Sequence, residues 1–194
     1  MSVAQNLSKI EERIQAACAR GGRARASVRV LAVSKLQPAL KIREAYAAGV
    51  RHFAENYAQE AIDKQNQLND LGEASWHFIG RIQSNKVKML AGRFSLIHSV
   101  ESLKIADFFN RGESRQDILI QYNVAGEESK GGADYAGLLN LVKAAGAHDN
   151  IRLMGLMVMP PLSEDPEKVR PYFKKAREVL AQIRDNVGQE VLSR

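Results

Sequence analysis

The chain has 194 residues, of which 45% are hydrophobic and 26% are charged, as in an ordinary globular protein with one core or two. No stretch is apolar for long enough to cross a bilayer, and the start of the chain lacks the basic flank and apolar block of a secretory signal, so we expect a cytoplasmic protein. Its single cysteine excludes an internal disulfide, and its four histidines are too scattered to indicate a metal site.

The chain is predicted to begin with an amphipathic helix. Leu7, Ile10, Ile14 and Cys18 share one side at helical spacing, and a pair of glycines follows, so the helix is predicted over residues 3–20. A lone cysteine on the apolar side of a helix is usually a small core residue, and Cys18 is assigned that role.

Six strand–helix units are predicted between residues 28 and 187. The strands are predicted at residues 28–34, 52–57, 76–80, 94–100, 118–124 and 151–159, and a helical pattern follows each of them. The sixth helix ends near Val187, and a seventh strand is predicted to begin at Glu190. Strands that alternate with helices in short units predict an α/β fold with a parallel sheet covered on both faces.

Two architectures contain such a sheet, the doubly wound open sheet and the (β/α)8 TIM barrel. Regular units without a glycine-rich dinucleotide turn after the first strand favour the barrel. A complete barrel usually takes about 250 residues. We therefore predict one domain over residues 1–194, a (β/α)8 barrel without its last strand–helix units.

The first predicted strand lies in VRVLAVSKLQP, residues 28–38, and ends on Ser34 and Lys35. An apolar run suits a strand that is buried on both faces, but packing does not require an ammonium group at its tip. Lys35 is either a strand-end charge that reaches solvent or a nucleophilic amine. Burial at the apolar mouth of a barrel disfavours the charged form of an amine, which helps it to form a Schiff base.

Other polar residues follow the remaining strands. Ser84, in QSNK at residues 83–86, is predicted to cap the next helix, although helix starts also hold phosphates. The segment AGEESKGGAD at residues 125–134 lacks the spacing of a P-loop and is interpreted as a flexible connection, with Asp134 as the cap of the helix after it. His77 is interpreted as a hydrogen-bonded core histidine.

Three methionines lie in the sixth predicted strand. Met154, Met157 and Met159 are interpreted as packing residues. Met157 and Met159 are expected to point the same way near the barrel mouth, and a second interpretation is that their thioethers face a flat ring there.

The net charge of +6 suits an anionic partner, either a nucleic acid or a small phosphorylated molecule. The last predicted helix has a basic side, formed by Lys168, Arg170, Lys174, Lys175 and Arg177. Its opposite side is apolar and comprises Val169, Tyr172, Phe173, Ala176 and Leu180. Because no recognition motif accompanies this amphipathic pattern, the basic side is interpreted as solvated, and a nucleic-acid-binding module is kept as a competing hypothesis.

Several segments, in this order, resemble one known family. They are LAVSK at 31–35, FAENYAQE at 53–60, WHFIGRIQSNK at 76–86, HSVESLKIA at 98–106, QYNVAGEESKGG at 121–132 and LMGLMVMPP at 153–161. The combination resembles the YggS family of pyridoxal 5'-phosphate (PLP) homeostasis proteins, also called the proline synthetase co-transcribed homologue family, over nearly the whole chain after the first helix. The resemblance implies the barrel of the alanine racemase N-terminal domain.

The resemblance also implies a ligand and its residues. In the family the lysine of the SK pair forms an internal aldimine with PLP, and the matching position is Lys35. Asn56 matches a position beside the cofactor, and Met157 lies in a strand that lines it. We therefore expect a protein of intracellular vitamin B6 homeostasis that holds PLP as a Schiff base without efficient catalysis.

A PLP-dependent racemase-like enzyme is the alternative function. Racemases of this fold use a second, β-rich domain that supplies a tyrosine as the opposite-face acid or base, and this sequence has no residues left to build one. The expected partners are PLP itself and PLP-dependent apo-enzymes, without nucleic acid, membrane or metal. The protein is expected to be a monomer.

The sequence departs from the family at its end. Family members continue with a Gly-Met-Ser segment and an Arg-Ile-Gly-Thr segment that hold the phosphate and approach the pyridine nitrogen, whereas this sequence ends at VLSR, residues 191–194. If both segments are absent from the protein, PLP is expected to bind weakly, because its dianion lacks most of its amide donors.

Overall fold

The structure is a computed structural model, and it describes residues 2–127 and 131–187. The chain divides into two compact units, one up to Trp76 and the other from His77 onward. Strands and helices alternate in each unit, as the sequence predicts. The seventh strand predicted at Glu190 lies outside the described residues, and the assignment of residues 1–194 to one domain stays a prediction.

The first unit contains three helices, two strands and the beginning of a third strand. The helices are α1 (Val3–Arg20), α2 (Ala39–Ala47) and α3 (Ala58–Gln67), and a 3₁₀ turn spans Arg25–Ser27. The strands are β1 (Ala32–Val33), β2 (His52–Glu55) and the beginning of β3 (Ser75–Phe78). β1 and β2 pair in parallel, with Ala32 beside Phe53.

The helix predicted over residues 3–20 is confirmed in full. It begins with a capping box, in which Ser2 Oγ accepts the Gln5 N–H at 3.2 Å and Gln5 Oε1 accepts the Ser2 N–H at 2.9 Å. Cys18 is 6% exposed, so its assignment to the core is confirmed.

The first strand is shorter than the predicted range 28–34. Only Ala32 and Val33 belong to β1, although the next N–H, that of Ser34, still donates to Ala54 O at 2.9 Å. The strand is held by the core of the unit, whose buried side chains are those of Ile42, Val50, Phe53 and Leu68. This packing fixes the carboxyl ends of β1 and β2, where the predicted site residues follow.

The second unit continues from β3 with three further strands and four helices. The strands are β4 (Leu96–Val100), β5 (Gln116–Tyr122) and β6 (Ile151–Val158), and the helices are α4 (Val87–Leu90), α5 (Leu103–Asn110), α6 (Tyr135–Gly146) and α7 (Pro166–Val187). Within this unit the strand order is β3-β4-β5-β6, and every neighbouring pair is parallel. An order without reversal is typical of a barrel, because a doubly wound sheet reverses its strand order.

Two predicted helix caps have different outcomes. Asp134 caps α6 as predicted, since its Oδ1 accepts the Gly137 N–H at 2.7 Å. The prediction for Ser84 is wrong. It is the first residue of a 3₁₀ turn over Ser84–Lys86 that runs into the four-residue α4, and no side chain makes a capping hydrogen bond at the start of either element.

β6 contains a β-bulge at Met154. Ile118 of β5 pairs with Leu153 and Leu119 pairs with Gly155, so Met154 has no partner on β5 among the described residues. Gly155 has a φ of 145°, a conformation open to glycine and strained for other residues. Met154 is 41% exposed, so its predicted packing role is wrong.

Two other apolar side chains are exposed, and for Met159 this contradicts the predicted packing role. Met159 lies beyond the end of β6 and is 46% exposed, and Phe173 of α7 is 53% exposed. α7 buries Val179 and Ile183 instead, and its basic residues are exposed as predicted. Within the described ranges, no helix combines the length and the apolar character needed to cross a membrane.

Candidate functional site

The predicted site residues Lys35 and Asn56 follow neighbouring strand ends in the first unit. Ser34 and Glu55 are adjacent there, since the Ser34 hydroxyl donates to Glu55 Oε1 at 2.7 Å. Lys35 follows Ser34 and Asn56 follows Glu55, so the structure brings the two predicted residues to one edge of the sheet. Ligands of parallel α/β sheets bind at the carboxyl ends of the strands, and this edge is therefore the candidate functional site.

Lys35 lies in a tight turn. The Gln37 N–H donates to Ser34 O at 3.0 Å and closes the turn. Leu36 has a φ of 59°, in the left-handed region that residues with a side chain rarely occupy. The Lys35 side chain is exposed, as in the strand-end alternative, and does not have the apolar, buried setting that would favour the neutral amine.

A buried ionic cluster holds this turn. Lys64 of α3 is 6% exposed, and its ammonium donates to Ser34 O at 2.7 Å, to Glu55 Oε1 at 2.8 Å and to Glu60 Oε1 at 2.6 Å. Glu55 is fully buried, and Glu60 Oε1 also accepts the Leu36 N–H at 2.7 Å. We call Glu55, Glu60 and Lys64 the α3 cluster.

The charge state of Glu60 depends on this cluster. The hydrogen bond from the Lys64 ammonium lowers the pKa of the Glu60 carboxyl below its ordinary value, and the Leu36 N–H lowers it further, while partial burial acts in the opposite direction. Glu60 is therefore ionised at neutral pH, and its bond to the Leu36 amide is charge-assisted.

Sequence reasoning did not find the α3 cluster. Glu60 and Lys64 stand four residues apart in the order that favours an ion pair on a helix, and this spacing was the available signal. The burial of Lys64 cannot be read from the sequence pattern, because it follows from the packing of α3 against the ends of β1 and β2.

Two buried oxygens, Glu55 Oε2 and Asn56 Oδ1, have no hydrogen-bond partner among the described residues. Buried polar atoms in proteins are almost always paired with protein, water or a ligand. Asn56 Oδ1 is the one that belongs to a predicted site residue. A hydrogen-bond donor of a bound molecule at this edge would satisfy it, because an amide oxygen is an acceptor.

Met157, the third predicted site residue, belongs to the second unit. It lies in β6 beside Gln121 of β5 and is partly buried. In the same unit His77 is 4% exposed, and its Nδ1 lies 2.9 Å from His98 Nε2, so the prediction of a hydrogen-bonded core histidine is confirmed. Burial lowers the pKa of His98 to about 4.

The QSNK segment contributes to an open cleft of about 590 Å³ in the second unit. Arg81, Ser84 and Lys104 line it, and Glu101 lies among them, with Oε1 3.4 Å from Arg81 Nε. The cleft thus combines cationic groups with a carboxylate. Across residues 2–127 and 131–187, no three His, Cys, Asp or Glu side chains are placed to hold a metal ion.

Comparison with known proteins identifies the fold. The family described as alanine racemase, N-terminal domain, matches residues 5–193. PipY of Synechococcus elongatus, whose structure was solved with PLP bound, is 34% identical with a TM-score of 0.84, over 98% of this chain and 85% of that one. The fold is that of the alanine racemase N-terminal barrel, as predicted from the sequence.

Two curated relatives cover almost the whole chain, and both are named pyridoxal phosphate homeostasis protein. The relative from Aquifex aeolicus is 42% identical over 194 residues, which are 98% of this chain and 83% of the relative. The relative from Pseudomonas aeruginosa is 42% identical over 196 residues, which are 99% of this chain and 84% of the relative.

Proposed function

The chain belongs to the pyridoxal phosphate homeostasis protein family, and on this premise we propose that it binds PLP and takes part in intracellular PLP homeostasis. One observation carries the proposal: an exposed amine, that of Lys35, and a buried unpaired amide oxygen, that of Asn56, follow adjacent strand ends at one sheet edge. A protein of the same fold and 34% identity, PipY, binds PLP.

Lys35 is the residue that we propose to hold the ligand covalently. When bound, PLP supplies an aldehyde, and a primary amine that attacks it forms a carbon–nitrogen double bond with loss of one water. Lys35 is exposed, so an aldehyde can reach its amine. Lys64 is buried and its three N–H groups are all used by oxygens, so it is unsuited to this role.

Asn56 is proposed to accept a hydrogen bond from a donor group of the ligand through Oδ1, which would satisfy the buried oxygen. Met157 stays a prediction that rests on the sequence resemblance. A Met157→Ala variant with weaker PLP absorbance at equal concentration would support it.

The proposed role is that of a PLP carrier or regulator. The curated relatives are named for homeostasis, and this supports a function without efficient turnover. A cytoplasmic location, a monomeric state and delivery of PLP to apo-enzymes are further parts of the proposal.

Borohydride reduction of the PLP-treated protein, followed by peptide mapping, tests the proposal. We expect the pyridoxyl label on the peptide that contains Lys35. Lys35→Ala should remove this label together with the visible absorbance of bound PLP, whereas Lys41→Ala, at an exposed lysine of α2, should preserve both. A label spread evenly over surface lysines would contradict the binding role, and rapid racemisation of L-alanine by the PLP-loaded protein would contradict the carrier role.

A further inference from the structure

Both peptide groups that flank Lys35 are bound by the α3 cluster. The carbonyl of the peptide between Ser34 and Lys35 accepts a hydrogen bond from Lys64 Nζ at 2.7 Å. The N–H of the peptide between Lys35 and Leu36 donates to Glu60 Oε1 at 2.7 Å. The cluster thus holds the backbone on each side of Lys35, whose side chain is exposed.

The cluster is a costly way to stabilise α3. Lys64 and Glu55 are 6% and 0% exposed, and buried ions lose hydration that their mutual attraction often fails to offset. Apolar side chains of similar volume would pack α3 against the strands at least as well. A role beyond packing is therefore indicated, and the bonds of the cluster to Ser34 O and the Leu36 N–H show which segment it acts on.

The conformation of the turn needs such support. Leu36 holds a φ of 59°, which is unfavourable for a residue with a side chain, and its own side chain is 73% exposed and gains little from packing. A strained residue of this kind persists when its surroundings fix it. The bond from the Leu36 N–H to the ionised Glu60 supplies that constraint.

We propose that Lys64, together with Glu55 and Glu60, is a positioning residue for Lys35, which orients the turn so that the Lys35 amine meets PLP in one geometry. This inference rests on the proposed function, because it assigns a role to the cluster at the same site. An amine on a fixed backbone reacts with a bound aldehyde more readily than one on a mobile loop.

Two disruptive variants, one conservative variant and one control test the positioning role. Lys64→Met removes the charge and all three hydrogen bonds but keeps an unbranched side chain. Glu60→Ala removes the acceptor of the Leu36 N–H at a side chain that is 25% exposed, so it decides the question if Lys64→Met does not fold. Glu44→Ala is the matched control. It removes the carboxylate of an exposed ion pair in the same unit, in which Glu44 Oε2 lies 2.8 Å from Lys41 Nζ.

Two quantities are measured on proteins whose far-UV circular dichroism is that of the wild type. The first is the PLP dissociation constant, and the second is the ratio of pyridoxyl label on Lys35 to label on all other lysines of the same sample. We expect Lys64→Met and Glu60→Ala to raise the dissociation constant about tenfold and to lower the label ratio by a similar factor. Glu60→Gln keeps an acceptor for the Leu36 N–H, so its dissociation constant and label ratio should lie close to those of the wild type. Glu44→Ala should match the wild type in both quantities.

The outcomes separate the positioning role from the proposed function. A cluster that only stabilises the unit would lower the melting temperature and leave the label ratio of folded protein unchanged. If folded Glu60→Ala retains the wild-type ratio and dissociation constant, the positioning role is refuted while labelling of Lys35 upholds the function. If wild-type Lys35 takes no label, the proposed function fails and the positioning role fails with it.

Discussion

The free energy of unfolding should decrease as the pH falls below 6.5, and His98 is one cause. Burial lowers the pKa of His98 from 6.5 to about 4 in the folded protein. Above pH 6.5 the imidazole is neutral in the folded and unfolded states, and its contribution to stability is complete. Between pH 6.5 and about 4 only the unfolded state binds the proton, so stability is lost across this window.

The size of the effect follows from the two pKa values. A tenfold change in proton affinity corresponds to about 1.4 kcal/mol, so the decrease from 6.5 to about 4 corresponds to roughly 3 kcal/mol without screening. Solvent reaches part of the His98 ring, and we expect about half of this value, on the order of 1.5 kcal/mol.

Urea unfolding of the ligand-free protein, followed by far-UV circular dichroism at a series of pH values between about 5 and 7.5, measures the loss. His98→Gln should show a flatter pH profile than the wild type. Burial and the neighbouring Arg29 also lower the pKa of His52, so His52→Gln should remove a separate part of the slope and the double variant should be flattest. If His98→Gln loses as much stability as the wild type between pH 6.5 and 5, the reasoning is refuted.

Three substitutions test other features through the same urea assay. Gly132→Ala should lower the free energy of unfolding by about 2 kcal/mol, because Gly132 has a φ of 118° and a Cβ there would lie 2.9 Å from Asn123 N. Gly72→Ala, where a Cβ meets nothing within 4 Å, is its control and should change stability by less than about 0.5 kcal/mol; equal effects would contradict the steric argument. Leu36→Gly should be neutral or stabilising by up to about 1 kcal/mol, since it relieves the left-handed strain, and a clear loss would refute that strain. Phe109→Ala, at a fully buried ring, should cost about 3–5 kcal/mol, and a cost below about 1 kcal/mol would show that the site is not core.

Features that depend on residues close together in the sequence could be predicted from the sequence. Residues 3–20 form a helix because of apolar spacing and a pair of glycines, and Asp134 caps α6 because its side chain reaches an amide three residues later. Features set by pairing between distant segments could not be predicted in this way. The register between β5 and β6 shifts beside Met154, and the residues of β6 alone do not indicate that shift.

In the candidate site, too, some features could be predicted from the sequence, whereas features that depend on contacts between distant segments could not. Lys35 and Asn56 could be selected because strand ends in a parallel sheet carry function, and the structure places both at one edge. The α3 cluster joins Glu55 at the end of β2 with two residues of α3 and bonds to Ser34 after β1, and its burial depends on how these three elements pack. Sequence spacing suggests the pair of Glu60 and Lys64, but it does not reveal Glu55 as its third member or the Lys35 turn as its target.

The burial of Cys18 makes α1 open to direct kinetic measurement. The sequence contains one cysteine, so a thiol-reactive dye added to the native protein has a single site of attack. The cysteine residue is 6% exposed, so we expect the dye to reach its thiol only while the helix is transiently detached. The rate of colour change would therefore report the frequency of this detachment in unaltered protein, without denaturant and without an engineered label.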